Sequence, residues 1–176
     1  SASARDGEGV PTRRQTLVEQ GRLVGSLWST RDAAQQVAEG RIEHAQTNGC
    51  AVRGGHQSPP STGCSDLQML SSLKSSSQDA LLERMEDGYI VHSVMGAHTA
   101  NPTSGDFSVT TSTLLRVEGG EVIGPVKQAG LSGNLAKALS NDVHLGDDVR
   151  VQGSYSSGNM HLPDVLLMQG LRINPV

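Results

Sequence analysis

The chain has 176 residues, a formal net charge of −4 with histidine neutral, and two cysteines. That length holds one domain, or one with an extension, and a domain of this size buries roughly 70% of its unfolded surface, enough for a core without staples. The charge excludes the basic footprint of a nucleic-acid binder. No apolar run approaches the length of about 18 residues that a membrane helix needs, and two cysteines are too few for a disulfide framework.

Aromatics make up only 2% of the chain, namely Trp28, Tyr89, Phe107 and Tyr155, so the core is expected to be aliphatic. No charged-then-apolar N-terminal segment of the secretory kind opens the sequence, and a reducing cytoplasm is the expected location. The opening Ser-Ala-Ser-Ala-Arg-Asp lacks methionine and runs at once into turn chemistry, as expected of a fragment or a processed product.

In chain order, Asp6 to Pro11 (DGEGVP) reads as a turn, since its glycines tolerate positive φ and Pro11 fixes its own. Gln15 to Gln20 and Arg22 to Trp28 read as two strands of a hairpin, broken by Gly21 with the turn at Gln20–Arg22. Ser29 to Glu39 reads as a helix: Ser29 and Asp32 have capping-box spacing and Gly40 suits the position after the last turn. Periodicity then fades from Gly40 to Ser65, a long loop crowded with glycine, serine and proline. Asp66 to Leu70 is a short strand. Ser76 to Met85 is a helix with Ser76 and Asp79 at capping spacing and Leu81, Leu82 and Met85 as its buried stripe.

Tyr89 to Val94 is a strand, and a polar loop follows from Gly96 to Asp106. Phe107 to Val117 (FSVTTSTLLRV) is the strongest strand, because β-branched residues fill it. Gly119–Gly120 supply the positive φ of a tight hairpin turn, and Glu121 to Val126 returns, with Pro125 placing it at an edge. Ser132 to Ser140 reads as a short helix capped by Ser132. Asp148 to Ser154 and Asp164 to Ile173 close the fold, the second broken at Gly170. The sum is α+β, mostly antiparallel β-sheet with about three short helices, as a single domain over residues 1–176.

No catalytic group declares itself. None of the six histidines lies in H-E-x-x-H, no serine sits in G-x-S-x-G, and no phosphate loop is present. A metal site built from His44, His56, Cys50 and Cys64 would lack any ligand spacing, and those residues read as structural. Cys50 and Cys64 read as buried, inert thiols. Two loops mix glycine, proline, small polar residues and a histidine: Arg53 to Ser65 and Gly96 to Asp106. Two ordinary surface connections are the simpler reading. The functional reading is that they line a groove in which glycine leaves room for a peptide backbone.

Taken in order, the segments DGEGVPTR (Asp6 to Arg13), RGGHQSPPSTGCSD (Arg53 to Asp66), MGAHTANPTSGDFSVTTSTLL (Met95 to Leu115), RVEGGEVIGPV (Arg116 to Val126), SGNLAKAL (Ser132 to Leu139), NDVHLGD (Asn141 to Asp147) and the final strand from Leu162 to Ile173 resemble the C-terminal domain of the TldD/PmbA family. Each motif is weak alone; their order and spacing are specific, and they cover almost the whole chain. The resemblance implies a subunit of a zinc-dependent peptidase acting on unfolded or peptide substrates, in a family whose older label is modulator of DNA gyrase. It implies that the N-terminal part of the family architecture is absent here.

In the TldD type, an H-E-x-x-x-H helix upstream and a cysteine near the C-terminus make the metal site. This chain has neither; Gln152 stands where that cysteine would fall, and no cysteine follows Cys64. The resemblance is therefore closer to the PmbA (TldE) type. That implies no metal ligand and no cofactor in this chain, zinc in a TldD-type partner, and pairing with such a subunit or with a second copy. It also implies peptide or unfolded protein as substrate, with neither nucleic acid nor membrane as partner. The expected groove wall comprises His98, Asn101, Pro102, Gly105, Asp106 and Phe107. The competing reading is a stand-alone protein-binding or assembly module without a catalytic role.

Overall fold

The computed structural model describes residues 3–71, 75–154 and 158–175. The fold is α+β, with mostly antiparallel sheets and three short α-helices among the described residues. The chain divides into two compact units, Ser1–Met69 with Arg150–Leu162, and Leu70–Val149 with Pro163–Val176.

The first unit opens with a hairpin, β1 (Val18–Glu19) and β2 (Arg22–Leu23). Its turn residues Gln20 and Gly21 have φ of 49° and 75°, the left-handed pair of a two-residue hairpin turn. The ladder is much shorter than the sequence suggests. Beyond it, Leu17 carbonyl accepts from the N–H groups of both Val24 and Gly25, which ends the regular pairing. Helix α1 (Thr30–Ala38) has Ser29 as its N-cap, and the Ser29 hydroxyl accepts from Asp32 N–H as the spacing predicts. Gly40 follows with φ of 69°. Within the long irregular stretch, β3 (Ala51–Val52) and β4 (Ser61–Thr62) form a two-rung antiparallel hairpin. β5 (Asp66–Gln68) runs parallel to the first residues of β11 (Gly158–Leu167).

Few apolar side chains are buried in this unit; Ala33 and Ala51 are the fully buried ones among the described residues. Polar groups do the remaining work. The Asp6 carboxylate accepts from the N–H groups of Glu8, Val10 and Ala51 at 2.9–3.0 Å, closing the turn predicted at residues 6–11 and tying it to β3. Glu8 caps the other end of the same unit: its carboxylate accepts from both the N–H and the hydroxyl of Thr30, the first residue of α1, where the helix dipole favours a negative charge. Buried Asn48 holds the Trp28 N–H at 2.8 Å and donates to the Ser26 carbonyl at 2.6 Å.

The second unit contains helix α2 (Gln78–Met85) and a five-stranded antiparallel sheet. Its strands are β6 (Gly88–Met95), β7 (Asp106–Glu118), β8 (Glu121–Val126), β9 (Ala129–Asn134) and β12 (Leu171–Pro175). The order is β12–β9–β7–β6, with β8 sharing the β9 side of β7. β9 pairs with β7 from Asp106 to Thr110, and β8 pairs with it from Leu114 to Glu118. In the gap, the fully buried Thr111 hydroxyl stands in for the ladder: it accepts from Ala129 N–H at 2.9 Å and donates to Ala129 carbonyl at 3.1 Å. The Gly119–Gly120 turn has both φ positive, as the sequence requires.

The core of this unit is aliphatic: Leu81, Val109, Leu114, Val117, Ala129, Leu131, Ala138 and Leu166 are buried. Of the predicted α2 stripe, Leu81 is buried and Leu82 and Met85 are half-buried. Two capping assignments differ from the sequence reading. Ser77, rather than Ser76, caps α2: the Ser77 carbonyl takes the first helical bond from Leu81 N–H, whereas the Ser76 carbonyl accepts from Asp147 N–H at 3.0 Å. Ser132 lies in β9, and the third helix, α3 (Leu135–Leu139), is capped by Asn134, whose side chain accepts from Lys137 N–H at 3.0 Å. β10 (Val143–Ser154) begins earlier than predicted and lies beside β11. Gly170, with φ of 91°, separates β11 from β12 where the break was expected. Among the described residues no helix is long and apolar enough to cross a membrane.

Candidate functional site

The loop between β6 and β7 is held by its own side chains. It opens at Gly96, with φ of 89°, and makes one 3₁₀ turn over Ala97–Thr99. Asn101 then organises the tip: its side-chain oxygen accepts from Thr103 N–H at 2.9 Å and Ser104 N–H at 3.1 Å, the Asx turn that asparagine favours before proline and small polar residues. Asn101 N–H donates to the Asp106 carbonyl and Gly105 N–H to the Asn101 carbonyl, both at 2.9 Å, so the tip is a closed ring of bonds.

Asn134 fastens this loop to α3. Its amide donates to the Ser104 carbonyl at 2.8 Å and to the Asp106 carboxylate at 2.7 Å, while its oxygen caps the helix. The Asn134 and Ser104 hydrogen bonds hold the Asp106 carboxyl below its ordinary value. Leu135 N–H donates to the Gly105 carbonyl at 2.8 Å.

Against this fixed loop lies an apolar depression of about 380 Å³. Of the residues predicted for the groove wall, Asn101, Pro102, Gly105 and Phe107 line it. His98, exposed on the 3₁₀ turn, and Asp106, turned to Asn134, are not in the lining. The rest of the surface was not legible from the loop: Ala97 and Ala100 at the rim, Val94 from β6, Val109 from β7, Leu131 from β9 and Leu135 from α3. A period-2 reading of β7 places Phe107 and Val109 on one face, but the partners from β9 and α3 are set by sheet order. Chemically the depression offers apolar area with the asparagine at its side, suited to an apolar side chain and carrying no nucleophile or general base. Gly105 has φ of 77°, so a bulky residue there strains the backbone whatever the ligand does.

The other loop singled out in the sequence joins β3 to β4 in the first unit. Arg53 at its start donates to the Gly7 carbonyl at 2.7 Å. Cys50 lies beside it, half-buried, with its thiol on Asn48 and the Trp28 carbonyl. Burial pushes the Cys50 thiol above its ordinary value, which keeps it protonated and a poor nucleophile. The Asp32 carboxylate accepts from Thr62 and Ser29 hydroxyls, which hold it below its ordinary value, in that order of effect.

No three His, Cys, Asp or Glu side chains come together as a metal-binding group among the described residues. His44, His56, Cys50 and Cys64 do not assemble into one, and Gln152 is an exposed residue of β10. Among the described residues no donor set therefore fits a zinc ion, which takes about four ligands in a tetrahedron.

The family model described as the PmbA/TldA metallopeptidase C-terminal domain matches residues 1–173. An uncharacterised protein of Methanocaldococcus jannaschii is 30% identical over 146 residues, 83% of this chain and 32% of its own length. A crystal structure from Thermotoga maritima, described as a candidate modulator of a DNA gyrase, superposes with a TM-score of 0.74 at 28% identity, covering 98% of this chain and 35% of that one. The crystal structure of TldE from Thermococcus kodakarensis gives a TM-score of 0.78 at 24% identity over 98% of this chain and 36% of that one, a likeness of fold. The chain thus spans about a third of the length of the relatives it matches.

Proposed function

The chain belongs to the PmbA/TldA metallopeptidase C-terminal domain family, and on that premise we propose that it is the PmbA (TldE)-like part of a two-subunit peptidase, holding unfolded or peptide substrate while a zinc-bearing TldD-type subunit does the chemistry. The observation that carries the division of labour is the donor set: no three metal-ligating side chains converge among the described residues, and glutamine stands at position 152. No hydrolytic step is assigned to this chain.

Its own contribution is binding. β6 is the terminal strand of its sheet, with β7 as its one neighbour among the described residues. An extended peptide added along such an edge gains backbone hydrogen bonds that do not depend on its sequence. The depression beside Val94, at the end of β6, would take one apolar side chain of that peptide, and the bonds through Asn101 and Asn134 keep it formed before the peptide arrives.

Ala100→Phe and Ala97→Phe test this by filling the depression from its exposed rim without removing a side-chain hydrogen bond. Capture of an unfolded apolar peptide should weaken in both variants while the far-UV spectrum and melting temperature hold. Unchanged affinity in the folded variants would contradict the groove. A chain that binds folded subunits but no peptide would favour the stand-alone assembly module.

A further inference from the structure

The turn closed by Asp6 also carries two fixed cations. Arg5 donates from Nη1 to the Gly9 carbonyl at 2.6 Å. Arg53 donates from Nε to the Gly7 carbonyl at 2.7 Å and from Nη1 to the Ser58 carbonyl at 3.4 Å. Backbone carbonyls of one short turn thus position both guanidinium groups, and among the described residues neither is in ion-pair range of a carboxylate. Both border a depression of about 340 Å³ in the first unit, with Asp6, Cys50 and Ser65 also in its lining.

The charges select the ligand. Asp6 faces the depression, and its carboxylate oxygens already accept from the N–H groups of Glu8, Val10 and Ala51, so it stays ionised as the one anion of the lining. Two cations and one anion leave the lining with one unmatched positive charge, which a monoanion neutralises and a phosphate dianion over-fills. The donors are planar guanidinium forks, which match the two oxygens of a carboxylate. Thr12 and Ser3 cannot compete as donors, because their hydroxyls are spent on the Ser3 and Arg5 carbonyls.

We propose that this depression binds a free peptide carboxyl terminus between Arg5 and Arg53. The geometry stands without the peptide-holding role; the choice of a peptide as bearer of the carboxylate rests on that reading. The site would favour peptides ending in a free α-carboxylate over internal stretches of the same sequence. Because both arginines are exposed, the preference should fade with added salt.

The test titrates the purified chain with N-acetyl-dialanine and with its C-terminal amide, followed by amide NMR shifts of Gly7 and Gly63. Acetate and inorganic phosphate are titrated in parallel. The proposal predicts that the acid binds about tenfold more tightly than the amide, a difference of about 1.4 kcal/mol, and more tightly than acetate or phosphate. It predicts that Arg5→Gln and Arg53→Gln each erase the difference and that Arg53→Lys keeps part of it. Equal binding of acid and amide, no binding of either, or phosphate or acetate binding as well as the peptide acid would each overturn it. The acid–amide comparison uses the unmodified chain, so it holds whether or not a variant folds. A groove that fails the Ala100→Phe test beside an intact acid preference would sink the β6 reading alone.

Discussion

Thr111→Val removes one oxygen from the centre of the five-stranded sheet and leaves the shape almost unchanged. The Thr111 side chain is fully buried, and its hydroxyl serves both the N–H and the carbonyl of Ala129, at 2.9 and 3.1 Å, where neither β8 nor β9 continues the ladder. Valine leaves both backbone groups buried and unpaired, at about 1–3 kcal/mol each. The added methyl returns about 0.8 kcal/mol. The net loss is about 1–5 kcal/mol. At about 2–4 °C per kcal/mol for a chain of this size, the melting temperature should fall by about 2–20 °C. Thr111→Ser keeps the hydroxyl and loses a methyl, about 1 kcal/mol, so serine should be milder than valine. Thermal and urea unfolding of the two variants measure the order. Valine equal to or more stable than serine would refute the claim that the hydroxyl replaces a missing stretch of ladder.

Three further outcomes follow from the same hydrogen bonds. Asn134→Ala should detach the loop at residues 96–105 from α3 and let the Asp106 carboxyl titrate nearer its ordinary value; carbon-detected NMR titration of Asp106 reads this directly, and an unmoved titration would contradict the assigned bond. Burial raises the Asp6 carboxyl, but the N–H groups of Ala51, Glu8, Val10 and Gly9 together outweigh it and leave it below 3.8. A depressed folded value means that the group stabilises the fold above that ordinary value and that this support is lost as pH falls through the folded value. Asp6→Asn should therefore flatten the acid limb of melting temperature against pH, and an unaltered limb would show that Asp6 does not set it. Gly105→Val, forced to φ of 77°, should destabilise by about 1–2 kcal/mol in unfolding experiments, with or without peptide.

Local chemistry was legible in the sequence where one residue type decides the outcome. The β-branched run from Phe107 to Val117 forms the long strand β7, the Gly119–Gly120 pair turns it, and Ser29 with Asp32 caps α1. Adjacent serines defeated the same logic at α2, because spacing cannot tell Ser76 from Ser77 once a distant N–H, that of Asp147, claims the carbonyl of one of them. Ser132 was drawn into β9 by pairing with Arg172 and Ser108, which no local signal reveals. The loop side of the depression could be named from glycine, proline and asparagine, but Leu131 and Leu135 reach it only through the order β9–β7–β6. Asp6 read as a turn residue and is also the anchor of β3, a contact 45 residues long in sequence.

The division of labour between a metal-bearing and a substrate-holding subunit is tested most directly by metal content and cleavage together. The purified chain is assayed for bound zinc, then for cleavage of an unfolded peptide alone and with a TldD-type subunit. The account predicts no stoichiometric zinc in this chain, no cleavage by it alone, and faster cleavage by the TldD-type subunit when it is added, an increase lost in Ala100→Phe. One zinc per chain with cleavage in the absence of any partner would contradict it.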